Sequence, residues 1–91
     1  MKGLQFSHCN CLGADGTYSD PTTKVAKCYL ENTATGAQTQ AKTLTSANGQ
    51  WQATFPAVPK GSYKAVAIGD DSPTKYDCGP FDCPGVKAKG K

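Results

Sequence analysis

Asn48-Gly49-Gln50-Trp51-Gln52-Ala53-Thr54-Phe55-Pro56 decides the fold. Asn-Gly is the dipeptide best suited to a two-residue hairpin, because both positions tolerate positive φ. Behind it Trp51, Ala53 and Phe55 alternate with Gln50, Gln52 and Thr54, so a strand starting here has one apolar and one polar face. Pro56 lacks an amide proton and ends that strand. Pro59-Lys60-Gly61 makes the next turn, and Ser62 to Gly69 follows as a strand with Tyr63, Ala65 and Ala67 on one face and Lys64, Val66 and Ile68 on the other. Upstream, Gln38 to Thr45 reads as one Thr-rich edge strand anchored by Leu44, preceded by a turn at Thr33 to Gly36. Lys24 to Asn32 alternates so that Ala26, Cys28 and Leu30 face inward and Val25, Lys27, Tyr29 and Glu31 outward. Leu4 to Cys11 is the first strand, and Asp15-Gly16 and Asp20-Pro21 mark the loop after it. Beyond Asp70-Asp71-Ser72-Pro73 an irregular stretch carries Tyr76, Phe81 and the last two cysteines.

Five or six short strands separated by turns every eight to twelve residues predict an all-β chain, an antiparallel β-sandwich with meander or Greek-key connections. At 91 residues and 37% apolar content there is material for one core. Residues 1–85 form that domain and 86–91, Val86-Lys87-Ala88-Lys89-Gly90-Lys91, a basic flexible tail. Ten lysines, no arginine and a net charge of +3 exclude an electrostatic footprint for nucleic acid, whose specific readout depends on the guanidinium fork. No apolar run is long enough for membrane insertion, and Met1-Lys2-Gly3-Leu4-Gln5-Phe6 opens no secretory leader. Five cysteines in so small a chain nevertheless point to an oxidising exterior, reached as a mature exported chain or by another route, as a virion component would.

Cys9 and Cys11 lie on the same face of the first strand, about 6.5–7 Å apart, too far to bridge each other easily. Cys78 and Cys83 bracket Gly79-Pro80-Phe81-Asp82, and either close that loop or meet the first strand. Pairing between the two ends of the chain is the favoured arrangement of Cys9, Cys11, Cys78 and Cys83, with Cys28 as a small buried hydrophobe.

The competing chemistry is a metal site. His8, Cys9, Cys11, Cys78 and Cys83 supply the imidazole and thiolates that zinc or copper prefers, although Cys-x-Cys with Cys-x4-Cys is an unusual spacing. Apart from that alternative no cofactor is expected. Catalysis would require His8 to activate Ser7 or a thiol with an orienting acid, and nothing in the spacing provides this, so no enzyme is expected. The aspartates at 15, 20, 70, 71, 77 and 82 form no calcium loop and suit turns. A carbohydrate platform of Trp51 and Phe55 is the weaker reading, because their alternation makes them core. Val25, Tyr29, Val66 and Ile68 are the candidates for an apolar contact patch on an outer face.

Thr35-Gly36, then Thr45 with Asn48-Gly49 and Trp51, then Gly61 with Tyr63 resemble the motifs of bacterial immunoglobulin-like and prealbumin-like (carboxypeptidase regulatory-like) modules over about forty residues. The resemblance implies an immunoglobulin-like sandwich that is non-catalytic: a surface adhesion, decoration or assembly subunit of a cell surface or virion. Protein contacts or self-assembly are then expected, the latter through the odd cysteine or the Gln38 to Thr45 edge. The small metal-binding protein is the alternative.

Overall fold

The computed structural model describes residues 3–20, 22–71 and 73–85. Among these residues the chain forms eight strands: β1 (Gln5–Cys9), β2 (Gly13–Thr17), β3 (Val25–Asn32), β4 (Gln38–Gln40), β5 (Thr43–Ala47), β6 (Gln50–Thr54), β7 (Gly61–Gly69) and β8 (Lys75–Cys83). They make two antiparallel sheets of four, in the orders β1-β2-β6-β5 and β4-β3-β7-β8. That is the strand order of an immunoglobulin-type sandwich with one additional strand beside the third. The predicted fold class is therefore the observed one. The basic tail at 86–91 lies outside the described residues.

The β5–β6 hairpin follows the sequence closely. Asn48 and Gly49 have φ of 55° and 81°, the pair of positive values that a tight two-residue turn requires, and Ala47 pairs with Gln50 across it. Trp51, Ala53 and Phe55 are buried, as are Tyr63, Ala65 and Ala67 of β7. The chain then crosses from one sheet to the other through Phe55–Lys60, and at the far side Tyr63 Oη donates to the Pro59 carbonyl at 2.8 Å. This tyrosine corner pins the β6–β7 passage, as it does in immunoglobulin-type sandwiches.

Three readings are corrected. The stretch Gln38 to Thr45 is two strands, because the chain changes sheets between Ala41 and Lys42. The Ala41 amide donates to the Cys28 carbonyl in the second sheet at 2.9 Å, and the Lys42 amide donates to the Thr54 carbonyl in the first at 2.7 Å. The supposed loop at Asp15-Gly16 is β2, a strand of small residues lying between β1 and β6. Its composition hides it: Gly16 must be small because a Cβ there would overlap the Gln5 carbonyl and sit 2.8 Å from Trp51 Nε1. The irregular C-terminal stretch is β8, whose Gly79-Pro80 pair forms a bulge opposite Lys64 on an edge strand, the two settings in which a sheet accommodates proline.

The indole of Trp51 joins several of these features. Its Nε1 donates to the Gln5 carbonyl at 3.3 Å, and Phe6 packs edge-on against it with ring centroids 4.9 Å apart. On the opposite side the Val25 amide donates to Ser46 Oγ, and Ser46 Oγ donates to Tyr18 Oη, each at 2.9 Å, linking β3 to β5. Gly16→Ala is expected to lower stability by roughly 1–3 kcal/mol by forcing β1 away from the indole. Tyr63→Phe is expected to lower it by about 1 kcal/mol with the fold retained. Urea midpoints, with near-ultraviolet circular dichroism reporting on Trp51, check both.

Candidate functional site

β1 and β8 are the outermost strands of their sheets on one side of the sandwich, and their edges face each other. Two disulfides close that side: Cys9 to Cys78, with Cα atoms 6.3 Å apart, and Cys11 to Cys83, at 5.7 Å. Bulges bring the sulfurs together. In β1 the register shifts between Phe6 and His8, which turns Cys9 to the same side as Leu4 and Phe6. In β8 the Gly79-Pro80 bulge does the same for Phe81 and Cys83 after Tyr76 and Cys78. The favoured pairing between the chain's ends is thus the observed one. Cys11 Sγ also lies 3.4 Å from the Asp82 carbonyl.

These bridges correct the metal alternative. Cys9, Cys11, Cys78 and Cys83 are consumed as disulfides and present no thiolates, while His8 points to solvent, 79% exposed, with Nδ1 3.0 Å from Asp15 Oδ1. So exposed a contact adds little to stability. Among the described residues no group of three or more potential ligands converges. The aspartates work locally: Asp20 Oδ1 accepts from the Thr22 amide at 3.0 Å, Asp70 Oδ1 from the Lys24 amide at 3.3 Å, and Asp77 Oδ2 lies 3.5 Å from Lys64 Nζ. Two disulfides mark an oxidising environment. Among the described residues no helix is long and apolar enough to cross a membrane.

The apolar contact patch is also corrected. A bulge between Val25 and Lys27 turns Val25 into the core and leaves Ala26 exposed, the reverse of the alternation expected for these two. Tyr29 and Val66 do pair on the outer face of the second sheet, but each is only 2% exposed. Lys27, Glu31 and Lys64 flank them on that face, with stems long enough to lie over them. Ile68 alone stays half-buried.

What the sequence reading passed over is a segregation of charge. The strands of the first sheet contain no lysine, and their outward positions present Thr17, Thr43, Thr45, Gln50 and Gln52, with Asp15 and His8 at one side. The outer face of the second sheet carries Lys27, Lys64, Lys75, Glu31 and Asp77. Groups of one kind on one face were visible in the strand sequences once β2 was recognised. Leu12, at the β1–β2 turn beside the Cys11–Cys83 bridge, is a large apolar side chain left 79% exposed.

Comparison with known proteins finds no matching family profile, no matching curated protein and no matching solved structure.

Cys28, the fifth cysteine, is a free thiol buried in the core, out of reach of a neighbouring copy. Burial lifts this thiol from its ordinary 9.0 to about 12. The unfolded chain therefore loses the proton first, so the stability gained by burying a neutral thiol is complete below pH 9 and falls as pH rises from 9 toward 12, by about 1.4 kcal/mol per unit. The stability difference between wild type and Cys28→Ala is expected to be flat below pH 8 and to shift against wild type above pH 9, as read from denaturant titrations. Intact mass is expected about 4 Da below the fully reduced value, with one thiol alkylated only after denaturation.

Proposed function

We propose that this chain is a non-catalytic structural module of an exterior assembly, a cell-surface or virion component that adheres, decorates or joins neighbours through surface contacts. The closure of β1 to β8 by two disulfides carries the reading, since covalent staples suit a small core that has to persist outside a cell. The resemblance of Thr35-Gly36, Asn48-Gly49, Trp51 and Gly61 with Tyr63 to bacterial immunoglobulin-like and prealbumin-like modules supports it. The contact surface we assign is the outer face of the first sheet. Its amides and hydroxyls hydrogen-bond a protein neighbour with Asp15 as the one carboxylate to desolvate, against the three lysines and two acids of the second sheet's outer face.

Gln52 sits at the centre of that face, paired with Asp15 on one side and Thr45 on the other. In intact source cells or particles, antibody labelling and external protease are expected to reach the protein, and Gln52→Lys is expected to release it into the soluble fraction while leaving its urea midpoint unchanged. A protease-protected protein with reduced thiols would overturn the proposal.

A further inference from the structure

The staples also decide how the molecule responds to tension. The segment containing β1 runs from Gly3, at the pole where Ser19 and the β3 start lie, to Cys11 at the opposite pole. There Cys11 joins Cys83, and the chain continues to Gly85, which packs against Lys60 at that same pole. A force entering at Gly3 and leaving at Gly85 thus meets a covalent route made of β1, one disulfide and three residues of chain. Everything from Leu12 to Asp77 belongs to a closed loop beside that route. β1 is a strand and already extended, so the route has little slack.

We propose that tension applied between the two poles bypasses the fold through its own disulfides: force passes through β1 and the staples, and β2 to β7 stay out of the covalent path. The second bridge makes the bypass redundant. With Cys11–Cys83 open, force passes from Cys9 to Cys78 and along β8 to Cys83; with Cys9–Cys78 open, it passes along Cys9–Cys11 to Cys83. Either bridge alone keeps the loop out of the path. Once the first staple has closed its long loop, the second removes less chain entropy and adds less to stability than the first. Two staples on the same pair of edges are what a link needs if one is cut. The inference depends on the connectivity of the bridges and the placement of the poles, and not on which assembly the chain belongs to.

The test is single-molecule pulling on the full chain with handles at its two ends. Oxidised protein is expected to lengthen by less than about 20 Å in any unfolding step. Adding a reductant to the folded protein is expected to produce a step of roughly 250 Å, from the 72-residue separation of Cys11 and Cys83 at about 3.5 Å per residue. The variants Cys9→Ser with Cys78→Ser and Cys11→Ser with Cys83→Ser are each expected to stay within about 20 Å of the wild-type step. A step above about 100 Å in oxidised wild type or in either single-bridge variant would overturn the proposal. So would reduced protein that stays short up to handle rupture, since the strand ladders and not the bridges would then be carrying the force. Wild type with and without reductant decides the matter even if a variant fails to fold.

Discussion

Two sheets of four strands have four edges, and everything in this molecule depends on how those edges are sealed. On one side the seal is covalent, through the Cys9–Cys78 and Cys11–Cys83 bridges. On the other it is the chain itself, stepping between sheets at Ala41-Lys42 with consecutive amides bonded to opposite sheets. The core between them is thin in large side chains: Ala14, Ala53, Ala65 and Ala67 occupy positions that a larger domain would fill with Leu or Ile. Sheets that meet over alanines come close only if something holds their margins, and here both margins are held.

The same closeness explains why Trp51 takes so central a position. A bulky indole among alanines needs a matching gap, and Gly16 provides it on the adjacent strand. A glycine in β2, read by itself, looks like part of a turn. Placed under an indole whose Nε1 reaches the Gln5 carbonyl, it is the residue that lets β1 and β6 lie on either side of β2.

Much of this was legible from residues alone, and the boundary of what was legible has a physical cause. Strict alternation located β3, β6 and β7 and the inner positions Trp51, Ala53, Phe55, Tyr63, Ala65 and Ala67, because side chains in an unbroken strand have a period of two. It failed wherever a bulge shifted the parity: at Ala26, which exchanged faces with Val25; at Ser7, which brought Cys9 inward; and at Gly79-Pro80, which made β8 look irregular. No local signal in the sequence announces the first two. The change of sheet at Ala41-Lys42 was likewise hidden, because the strand pattern runs through it without a Gly or Pro. For the candidate site, the partnership of the chain's ends was readable, but the absence of lysine from the strands of one whole sheet required the strand order first.

Five thiols and two bridges pose a problem of biosynthesis that the position of Cys28 resolves. A wrong bridge from Cys28 to any of the other four would require the core to be absent, since that thiol lies 2% exposed between the sheets. Chains mispaired through Cys28 therefore remain open, with their sulfurs available for exchange, whereas the correctly paired chain withdraws the one free thiol able to attack its bridges. The fold thus proofreads its own oxidation: reaching the native pairing removes the means of leaving it.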